Sequence, residues 1–355
     1  MAKKYYDITN LKNTDAEWLM LLGQRANGKS YQVKKTAIED GLKGIKFVYL
    51  RRWKADLKES YVTDYFADMP VSKLTKKKYE RIVAKAGRIY LVGSETVKTA
   101  RTEKEVEVKL EIGRYCALNE SERYKSQVFK GYGNIIYEEF ITDDVYLVDE
   151  PRLLQQFVST VFRLQKGKVY LVGNTLTRVC PYFHEWCLEG VLKQKQGTIE
   201  IYHYHIEDGS TVNIAVEYCS NTNNENTMFF GQAAKQIITG EWDVKEVPKL
   251  PRLQYEYDMI YELLVQYQSF KFVVQLLVEP KEGGIICYVY PHTKKRKILR
   301  VITDVFSDSP YISSKLDIDK KPERLIAKCI RLDKICYSDN LTGSDFKKVL
   351  AQMNI

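Results

Sequence analysis

The segment GQRANGKS, from Gly23 to Ser30, contains the residues of this chain best suited to binding a polyphosphate. It follows the apolar run Trp18–Leu22 and precedes a polar segment that is compatible with a helix. This order of strand, glycine-containing loop and helix is the Walker A arrangement, in which backbone N–H groups surround phosphate oxygens at a helix N-terminus. We predict that Lys29 contacts the β- and γ-phosphates of ATP and that the Ser30 hydroxyl ligates Mg²⁺. The predicted nucleotide-binding residues are Gly23, Gln24, Arg25, Ala26, Asn27, Gly28, Lys29 and Ser30.

Two adjacent carboxylates, Glu138 and Glu139, follow the apolar segment Asn134–Tyr137. A strand that delivers carboxylates at its carboxyl end, behind a Walker A loop, is typical of a Walker B element. We predict that Glu138 holds Mg²⁺, directly or through its water shell, and that Glu139 orients and deprotonates the attacking water. Taken alone, two glutamates after a strand are ordinarily surface charge. An Asp is commoner at the first position, so Glu138 must accommodate one extra methylene group.

Two further strand ends carry polar residues. The short apolar run Lys168–Val172 leads to Asn174, whose amide could contact the γ-phosphate or the attacking water, or could simply begin a turn. Ile45–Leu50 has the composition of a buried parallel strand, and a cationic cluster from Arg51 to Lys54 follows it. In an open α/β sheet, ligands bind at the carboxyl ends of the strands. The cluster is therefore either functional or a solvated strand exit.

The elements around these residues alternate between strand and helix patterns. Pro151–Leu164 has apolar residues at helical spacing, and Thr198–Tyr218 alternates like a β-hairpin. Strands are predicted at Arg88–Val92 and Val106–Ile112, with Gly93–Glu105 as the connection between them. The pattern favours an α/β fold in this part of the chain.

The C-terminal part begins after an Asn-rich stretch. We predict a short helix at Gln232–Ile238 and a longer one at Tyr255–Gln268. Three antiparallel strands are predicted to follow, at Phe270–Val278, Ile285–Tyr290 and Lys297–Thr303.

Length and composition limit the possible classes of protein. A chain of 355 residues exceeds most single cores, and we predict a motor domain at 1–219, a linker at 220–250 and a second domain at 251–355. The 45% hydrophobic content excludes a disordered chain, and seven cysteines without a CxxC pair argue against a disulfide framework or a structural zinc site. Neither a signal peptide nor a run of about 18 apolar residues is present, so we predict a cytoplasmic protein without a membrane segment.

The formal net charge of +9 suits a polyanionic partner. Two basic segments are candidates for contact with a nucleic-acid backbone, and both could equally be solvated. Their residues are Lys76, Lys77, Lys78, Lys98 and Arg101.

In order and spacing, these motifs resemble one family, the DNA-packaging (encapsidation) motor ATPases of small podoviruses that infect Gram-positive bacteria. The matching blocks are GQRANGKSYQVKK, FVYLRRWKADL, SERYKS, IIYEEFI and STVFRLQKGKVYLVGNTLTRVCPYF. They run through most of residues 17 to 183, with a weaker likeness beyond. The family usually has Asp then Glu in its Walker B element, and Glu138 departs from that pattern.

The resemblance implies a P-loop NTPase of the additional-strand (ASCE) type, followed by a small C-terminal RNase H-like α+β domain. It implies an ATPase that forms a homo-oligomeric ring, by resemblance a pentamer, and pumps double-stranded DNA through the portal of a prohead. Such a protein works in the host cytoplasm and at the portal vertex. Some members dock through a structural RNA, and the sequence leaves open whether this chain does.

By position, the resemblance also implies cations that act on a neighbouring subunit. Arg163 occupies the position of the arginine finger, Lys125 a second position of this kind, and Lys54 a weaker one. In the second domain, the strand FKFVVQLLV has no acid in its middle, whereas RNase H-type nucleases place one in their first strand. We therefore predict an inactive nuclease fold. The alternatives are a terminase-like ATPase with an active nuclease, a P-loop kinase and a non-catalytic nucleotide-binding regulator.

Overall fold

The computed structural model describes residues 5–98, 103–163, 165–207, 209–220, 238–280, 283–293 and 296–355. The chain divides into two compact units. The first comprises Met1–Thr142, Leu147–Thr175 and Leu188–Glu241, and the second comprises Asp143–Tyr146, Leu176–Cys187 and Trp242–Ile355. Two short segments from the N-terminal part of the chain thus belong to the second unit. No helix of the described residues is long and apolar enough to cross a membrane.

The first unit is built on a nine-stranded sheet with the order β3-β4-β5-β2-β6-β7-β1-β9-β8. The strands are β1 Trp18–Leu22, β2 Lys46–Arg51, β3 Arg81–Lys85, β4 Arg88–Lys98, β5 Glu103–Ala117, β6 Tyr132–Glu138, β7 Lys168–Val172, β8 Thr198–His205 and β9 Thr211–Tyr218. From β5 to β9 all neighbours in this order are parallel, whereas β3, β4 and β8 are attached antiparallel at the two edges. The central parallel strands β1, β2, β6 and β7 are mostly buried and largely apolar, as is typical of parallel strands that are covered on both faces.

Strand β7 lies between β1, which precedes the Walker A loop, and β6, which ends in Glu138. This inserted strand agrees with the additional-strand class of P-loop proteins. Since all three strands are parallel, their carboxyl ends meet at one edge of the sheet. The fold therefore brings the loop after Leu22, the acids after Tyr137 and Asn174 toward one place.

The first unit contains the helices α1 Thr9–Lys12, α2 Lys29–Leu42, α3 Glu59–Tyr65, α4 Val71–Leu74 and α5 Glu150–Phe162. Helix α2 begins directly after Gly28 and buries Val33, Ala37 and Ile38 against the sheet. Helix α5 buries residues at the same periodicity, including Leu154. Apolar residues three and four apart thus attach both helices to the strands that surround the candidate site.

The second unit has a six-stranded sheet with the order β14-β13-β10-β11-β12-β15. Its strands are β10 Asp258–Tyr267, β11 Phe270–Val278, β12 Ile285–Pro291, β13 Val301–Thr303, β14 Ile312–Ser313 and β15 Ile335–Tyr337, and its helices are α6 Pro181–Glu185, α7 Lys321–Arg331 and α8 Asn340–Met353. Strands β10, β11 and β12 are antiparallel, and β13 joins β10 in parallel. Ile326 of α7 and Phe346 of α8 share a core with Leu263 of β10.

Several sequence predictions are confirmed by these elements. The predicted strand before the cationic cluster is β2, the helix that precedes Arg163 is α5, and Lys168–Val172 is β7. The hairpin at Thr198–Tyr218 is formed by β8 and β9, and two of the three C-terminal strands are β11 and β12.

Other predictions are wrong. Tyr255–Gln268 is not a helix but contains β10, because a short apolar run does not distinguish a buried strand from a helix, and pairing with β11 decides the matter. Gly93–Glu105 belongs mostly to the long strands β4 and β5. Within Lys297–Thr303 only Val301–Thr303 is a strand, and it is parallel to β10. The helix predicted at Gln232–Ile238 lies outside the described residues except for its last residue.

Candidate active site

The loop between β1 and α2 has a backbone that only particular residues tolerate. Gly23 and Gly28 have φ values of 140° and 101°, in the left-handed region where a side chain is strained. The Lys29 ammonium donates hydrogen bonds to the carbonyls of Gly23 at 3.1 Å and Gln24 at 2.5 Å, and to Asn27 Oδ1 at 3.2 Å. The lysine is thus held inside the curve of the loop, where phosphates would bind.

A cavity of ≈ 670 Å³ opens at this loop. Its lining includes Tyr5, Arg25, Asn27, Lys34 and Asn174, so cationic and amide groups from four segments surround it. Burial lowers the pKa of Lys29 to about 8, and a bound polyphosphate would stabilise its charged form.

Two buried polar atoms of the loop have no hydrogen-bond partner among the described residues. They are Gln24 Oε1 and Asn27 Nδ2, on side chains that are 5% and 1% exposed. Buried polar groups ordinarily have a partner, and Asn27 lines the cationic cavity, so its orphaned amide nitrogen points to a ligand there. The residues present therefore fit a bound nucleotide.

The Walker B carboxylate Glu138 lies against the first turn of α2. Ser30 Oγ is 3.2 Å from Glu138 Oε2, and the Tyr65 hydroxyl donates to Glu138 Oε1 at 2.5 Å. Burial raises the pKa of Glu138, and the hydrogen bonds from Tyr65 and Ser30 oppose that shift. A hydroxyl and a carboxylate oxygen at this separation are hard oxygen ligands of the type that Mg²⁺ takes.

Glu139 does not point freely into solvent. Its backbone has a φ of 58°, and its carboxylate is 2.7 Å from the Arg51 guanidinium, which also lies 3.5 Å from Asp56. The side chain of Glu139 is still 60% exposed. The predicted general base is thus in an ion pair with a cation at the end of β2.

Asn174 lies beside Lys29, with Asn174 Oδ1 3.4 Å from Lys29 Nζ. It is the first residue beyond the Gly173 that follows β7, and it lines the cavity. The structure thus brings Lys29, Ser30 and Asn174 together around one cavity, and Glu138, which Glu139 follows, contacts Ser30.

The three predicted trans-acting cations lie elsewhere. Arg163 follows the last residue of α5 and donates a hydrogen bond to the Gln127 carbonyl at 3.2 Å. Gln127 lies two residues after Lys125 in the sequence. Lys125 pairs with Glu122 at 2.6 Å, and Lys54 is 3.6 Å from Glu120. None of these three cations is among the residues that line the Walker A cavity in the described structure.

The structure describes only some of the residues that are predicted to contact DNA. Lys76, Lys77 and Lys78 are exposed in the turn after α4. Arg101 lies outside the described residues, and Lys98 ends β4 with an undescribed side chain. The contacts stay a prediction.

The strand FKFVVQLLV, on which the prediction of an inactive nuclease depended, is not the first strand of its sheet. The first strand of the second sheet is β10, not FKFVVQLLV, and it carries Glu262. Glu262 pairs with Arg296 at 2.8 Å and accepts a hydrogen bond from Gln275 at 3.1 Å. No group of three or more His, Cys, Asp or Glu side chains in the described residues is arranged to hold a metal ion.

Sequence reasoning missed two groups at the site. Tyr65 reaches Glu138 from α3, more than seventy residues away along the chain, and no motif marks it. Arg52 and Glu150 form a buried ion pair behind Glu139. Only the cationic character of the RRWK cluster hinted at Arg52.

Residues 1–204, more than half of the chain, match the model of a family described as Podovirus DNA encapsidation protein (Gp16). The chain has no significant match among proteins of curated function.

Two solved structures are similar over nearly the whole chain. A chain of the bacteriophage Phi-29 viral genome packaging motor assembly is 17% identical, with a TM-score of 0.56 over 98% of this chain and 99% of that one. A chain of the Phi-28 gp11 DNA packaging motor is 15% identical, with a TM-score of 0.53 over 100% and 99%. At these identities the likeness establishes the fold.

Proposed function

This chain belongs to the podovirus DNA encapsidation protein family, and from that premise we propose that it is the ATP-hydrolysing subunit of a motor that packages phage DNA. The observation that carries the proposal is the convergence of Lys29, Ser30 and Asn174 on the cavity at the loop after β1, with Glu138 in contact with Ser30 and Glu139 next to it in sequence. This set contains a phosphate-binding cation, two Mg²⁺ ligands, a polar sensor and a base.

ATP hydrolysis by these residues is an in-line attack of water on the γ-phosphorus. When bound, Mg-ATP supplies the reactive anhydride and partial neutralisation of its charge, and Ser30 and Glu138 would hold the ion. Lys29 contacts the β- and γ-phosphates, and Asn174 contacts the γ-phosphate or the water. Glu139 accepts the proton of the attacking water.

The ion pair between Arg51 and Glu139 indicates how hydrolysis is held back. A carboxylate bound to a guanidinium 2.7 Å away is oriented toward that cation. Glu139 must therefore leave Arg51 before it can accept a proton from water. We propose that binding of DNA or of the adjacent subunit shifts this equilibrium.

We further propose that the subunits form a homo-oligomeric ring, by family resemblance a pentamer. Negative charge spreads over the γ-phosphoryl oxygens in the transition state, and a guanidinium there increases the rate by roughly 10³- to 10⁵-fold. Arg163, together with Lys125 and Lys54, would supply positive charge to the neighbouring site. Arg163 directly follows α5, Lys125 follows the turn at Leu118–Tyr124 and Lys54 lies shortly after β2. Their position outside the lining of the chain's own cavity, as far as the structure describes it, supports a trans role.

We propose that the second unit is an RNase H-like domain without nuclease activity. Along the chain, the antiparallel strands β10, β11 and β12 come first, and the parallel strands β13 and β14 then extend the sheet on the other side of β10. The resulting sheet order, β14-β13-β10-β11-β12, is that of an RNase H-like sheet. The pairing of Glu262 with Arg296 supports inactivity. This unit would contact double-stranded DNA, the portal of the prohead or a structural RNA, at the portal vertex in the host cytoplasm.

The test is ATP hydrolysis by the full chain with and without double-stranded DNA. We expect DNA to stimulate hydrolysis and Glu139→Gln to abolish it while binding of a fluorescent ATP analogue persists. Glu39→Gln is the matched control, because Glu39 lies on the same helix as Ser30 and forms a surface pair with Lys35, at 3.8 Å. Full activity of Glu139→Gln, or hydrolysis indifferent to DNA, would contradict the proposed function.

A further inference from the structure

A buried ion pair lies directly behind the predicted catalytic base. Arg52 Nε is 2.7 Å from Glu150 Oε2 and one of its terminal nitrogens is 2.9 Å from Glu150 Oε1, so the contact is bidentate. The two residues are 5% and 1% exposed. Removing two charges from water is costly, and such a pair persists only where its remaining hydrogen-bonding groups are also used.

The remaining groups of Arg52 bind the backbone at the end of the Walker B strand. The guanidinium donates to the Glu139 carbonyl at 3.2 Å and to the Phe140 carbonyl at 2.8 Å. Glu139 has a left-handed backbone, which is unfavourable for a residue with a side chain. The two hydrogen bonds therefore stabilise the backbone turn from which the Glu139 side chain extends.

The remaining groups of Glu150 bind the same region from the other side. Its carboxylate accepts hydrogen bonds from the Tyr137 hydroxyl at 2.7 Å and from the Leu147 amide at 2.9 Å. Tyr137 lies in β6, immediately before the two Walker B acids. The pair thus joins the strand, the turn at Glu139 and the start of α5 into one hydrogen-bonded unit.

Glu150 is also the first residue of α5, which ends one residue before Arg163. The helix has 13 residues and is about 20 Å long, and buried side chains fix it to the fold. Because a helix moves nearly as a rigid rod, a displacement at Glu150 reaches Arg163. Tyr124, one residue before Lys125, packs edge-on against Phe157 of the same helix, with ring centroids 5.8 Å apart.

We propose that Arg52 and Glu150 are positioning residues that fix two catalytic groups relative to each other. One is the base Glu139 in the chain's own site, and the other is Arg163, the cation offered to the next site. The inference rests on the proposed function and adds a mechanical link to it. A change at Glu139 on hydrolysis would thereby move the cation that governs hydrolysis in the neighbour.

The first experiment replaces Arg52 with lysine in the full chain. Lysine retains the charge opposite Glu150, but a point ammonium cannot bind the carboxylate in two places and reach two carbonyls as well. We expect kcat for DNA-stimulated hydrolysis to fall about a hundredfold, as for small displacements of catalytic groups, with unchanged binding of a fluorescent ATP analogue. Glu150→Gln, which keeps the side-chain size, should likewise lower kcat and leave binding of the ATP analogue unchanged.

Arg300→Lys is the matched control for the loss of a buried bidentate pair. Arg300 contacts Glu323 at 2.9 and 2.8 Å, and Glu323 lies in the first turn of α7 in the second unit. Thermal unfolding of all three variants reports how far each change affects folding. If Arg52→Lys and Glu150→Gln are folded and retain the wild-type kcat, the proposal is overturned.

The second experiment tests the link to the neighbouring site with mixed rings. Glu139→Gln subunits mixed with Arg163→Ala subunits should regain turnover, because each supplies what the other lacks. A mixture of Arg52→Lys and Arg163→Ala subunits should regain at least fivefold less turnover than the first mixture, since Arg163 is misplaced in the Arg52→Lys subunits. Equal recovery in the two mixtures would refute the link, and no recovery in the reference mixture would refute delivery of the cation by α5.

These outcomes are distinguishable from failure of the proposed function. If the wild-type chain shows no DNA-stimulated hydrolysis, or Glu139→Gln remains active, the functional proposal itself fails. If the wild type and Glu139→Gln behave as expected and only the Arg52 and Glu150 variants match the wild type, the positioning inference alone fails.

Discussion

Tyr65→Phe isolates one hydrogen bond at the predicted Mg²⁺ site. The Tyr65 ring stacks on Tyr49 at a centroid distance of 4.5 Å and meets Phe66 edge-on at 4.8 Å. Phenylalanine keeps both ring contacts and removes only the hydroxyl that donates to Glu138 Oε1 at 2.5 Å. Any functional effect therefore comes from the orientation and solvation of the Glu138 carboxylate.

The size of the effect follows from the burial of this contact. A hydrogen bond to a charged group contributes about 1.5–3 kcal/mol, and Glu138 is a buried residue whose other oxygen faces Ser30. At 1.4 kcal/mol per factor of ten, its loss should weaken Mg²⁺ binding about 10- to 100-fold. Loss of an outer-shell partner of a metal ligand has effects of this order.

The assay is DNA-stimulated ATP hydrolysis over a range of Mg²⁺ concentrations. We expect the Mg²⁺ concentration for half-maximal rate to rise by that factor, with kcat largely restored at saturating Mg²⁺. Tyr61→Phe is the control, since Tyr61 lies one turn earlier on α3 and is 52% exposed, and its hydroxyl accepts a long hydrogen bond from Lys58, at 3.4 Å. An Mg²⁺ dependence of Tyr65→Phe equal to that of Tyr61→Phe would refute the role assigned to Tyr65.

Three further predictions concern other groups. Arg51→Gln removes the cation that binds Glu139. Because partly exposed ion pairs contribute about 0.2–1 kcal/mol, the rate of hydrolysis without DNA should rise by a factor of about 1.4 to five, and an unchanged ratio of rates with and without DNA would argue against restraint by Arg51. The folded-state pKa of Lys29, about 8, lies below its ordinary value of 10.5, so the unfolded chain binds more protons between these pH values and stability must rise with pH there. The free energy of unfolding of the nucleotide-free wild type, relative to Lys29→Met, should therefore increase by about 1.4 kcal/mol per pH unit in this window, and a flat or falling difference in urea titrations would contradict the burial of a charged Lys29. Incubation with supercoiled plasmid and Mn²⁺ should leave the plasmid intact, whereas cleavage that disappears in Glu262→Gln would establish an active nuclease.

The predictions for the first unit depended on local pattern, and there the pattern was informative. Apolar runs such as Lys168–Val172 are short, uniformly apolar and bounded by turn residues, which is typical of strands buried on both faces. The helical spacing of apolar residues before Arg163 predicted α5 for a similar reason. Glycines at 23 and 28 fit the left-handed backbone that the loop adopts.

The second unit shows where local pattern is insufficient. The run that became β10 is apolar on both faces, since Leu263 enters one core cluster and Leu264 another. Such a sequence satisfies a helix and a central strand equally well, and pairing with β11 on one side and β13 on the other selects the strand. Because the pattern predicted a helix at Tyr255–Gln268, the first strand of the sheet was assigned to Phe270–Val278, and Glu262 of β10 was not recognised as a residue of the first strand.

The amino-acid sequence by itself indicated the phosphate-binding loop, the buried strands on either side of it in the chain and the acids at the end of β6, because glycine conformation, apolar periodicity and residue order are local properties. Only the tertiary structure decided which side chains orient those acids. Tyr65, Arg51 and Arg52 reach Glu138 and Glu139 across 73 to 88 residues of chain, and Glu150 reaches Arg52 across 98. Their partners are selected by sheet order and burial, which no window of sequence contains.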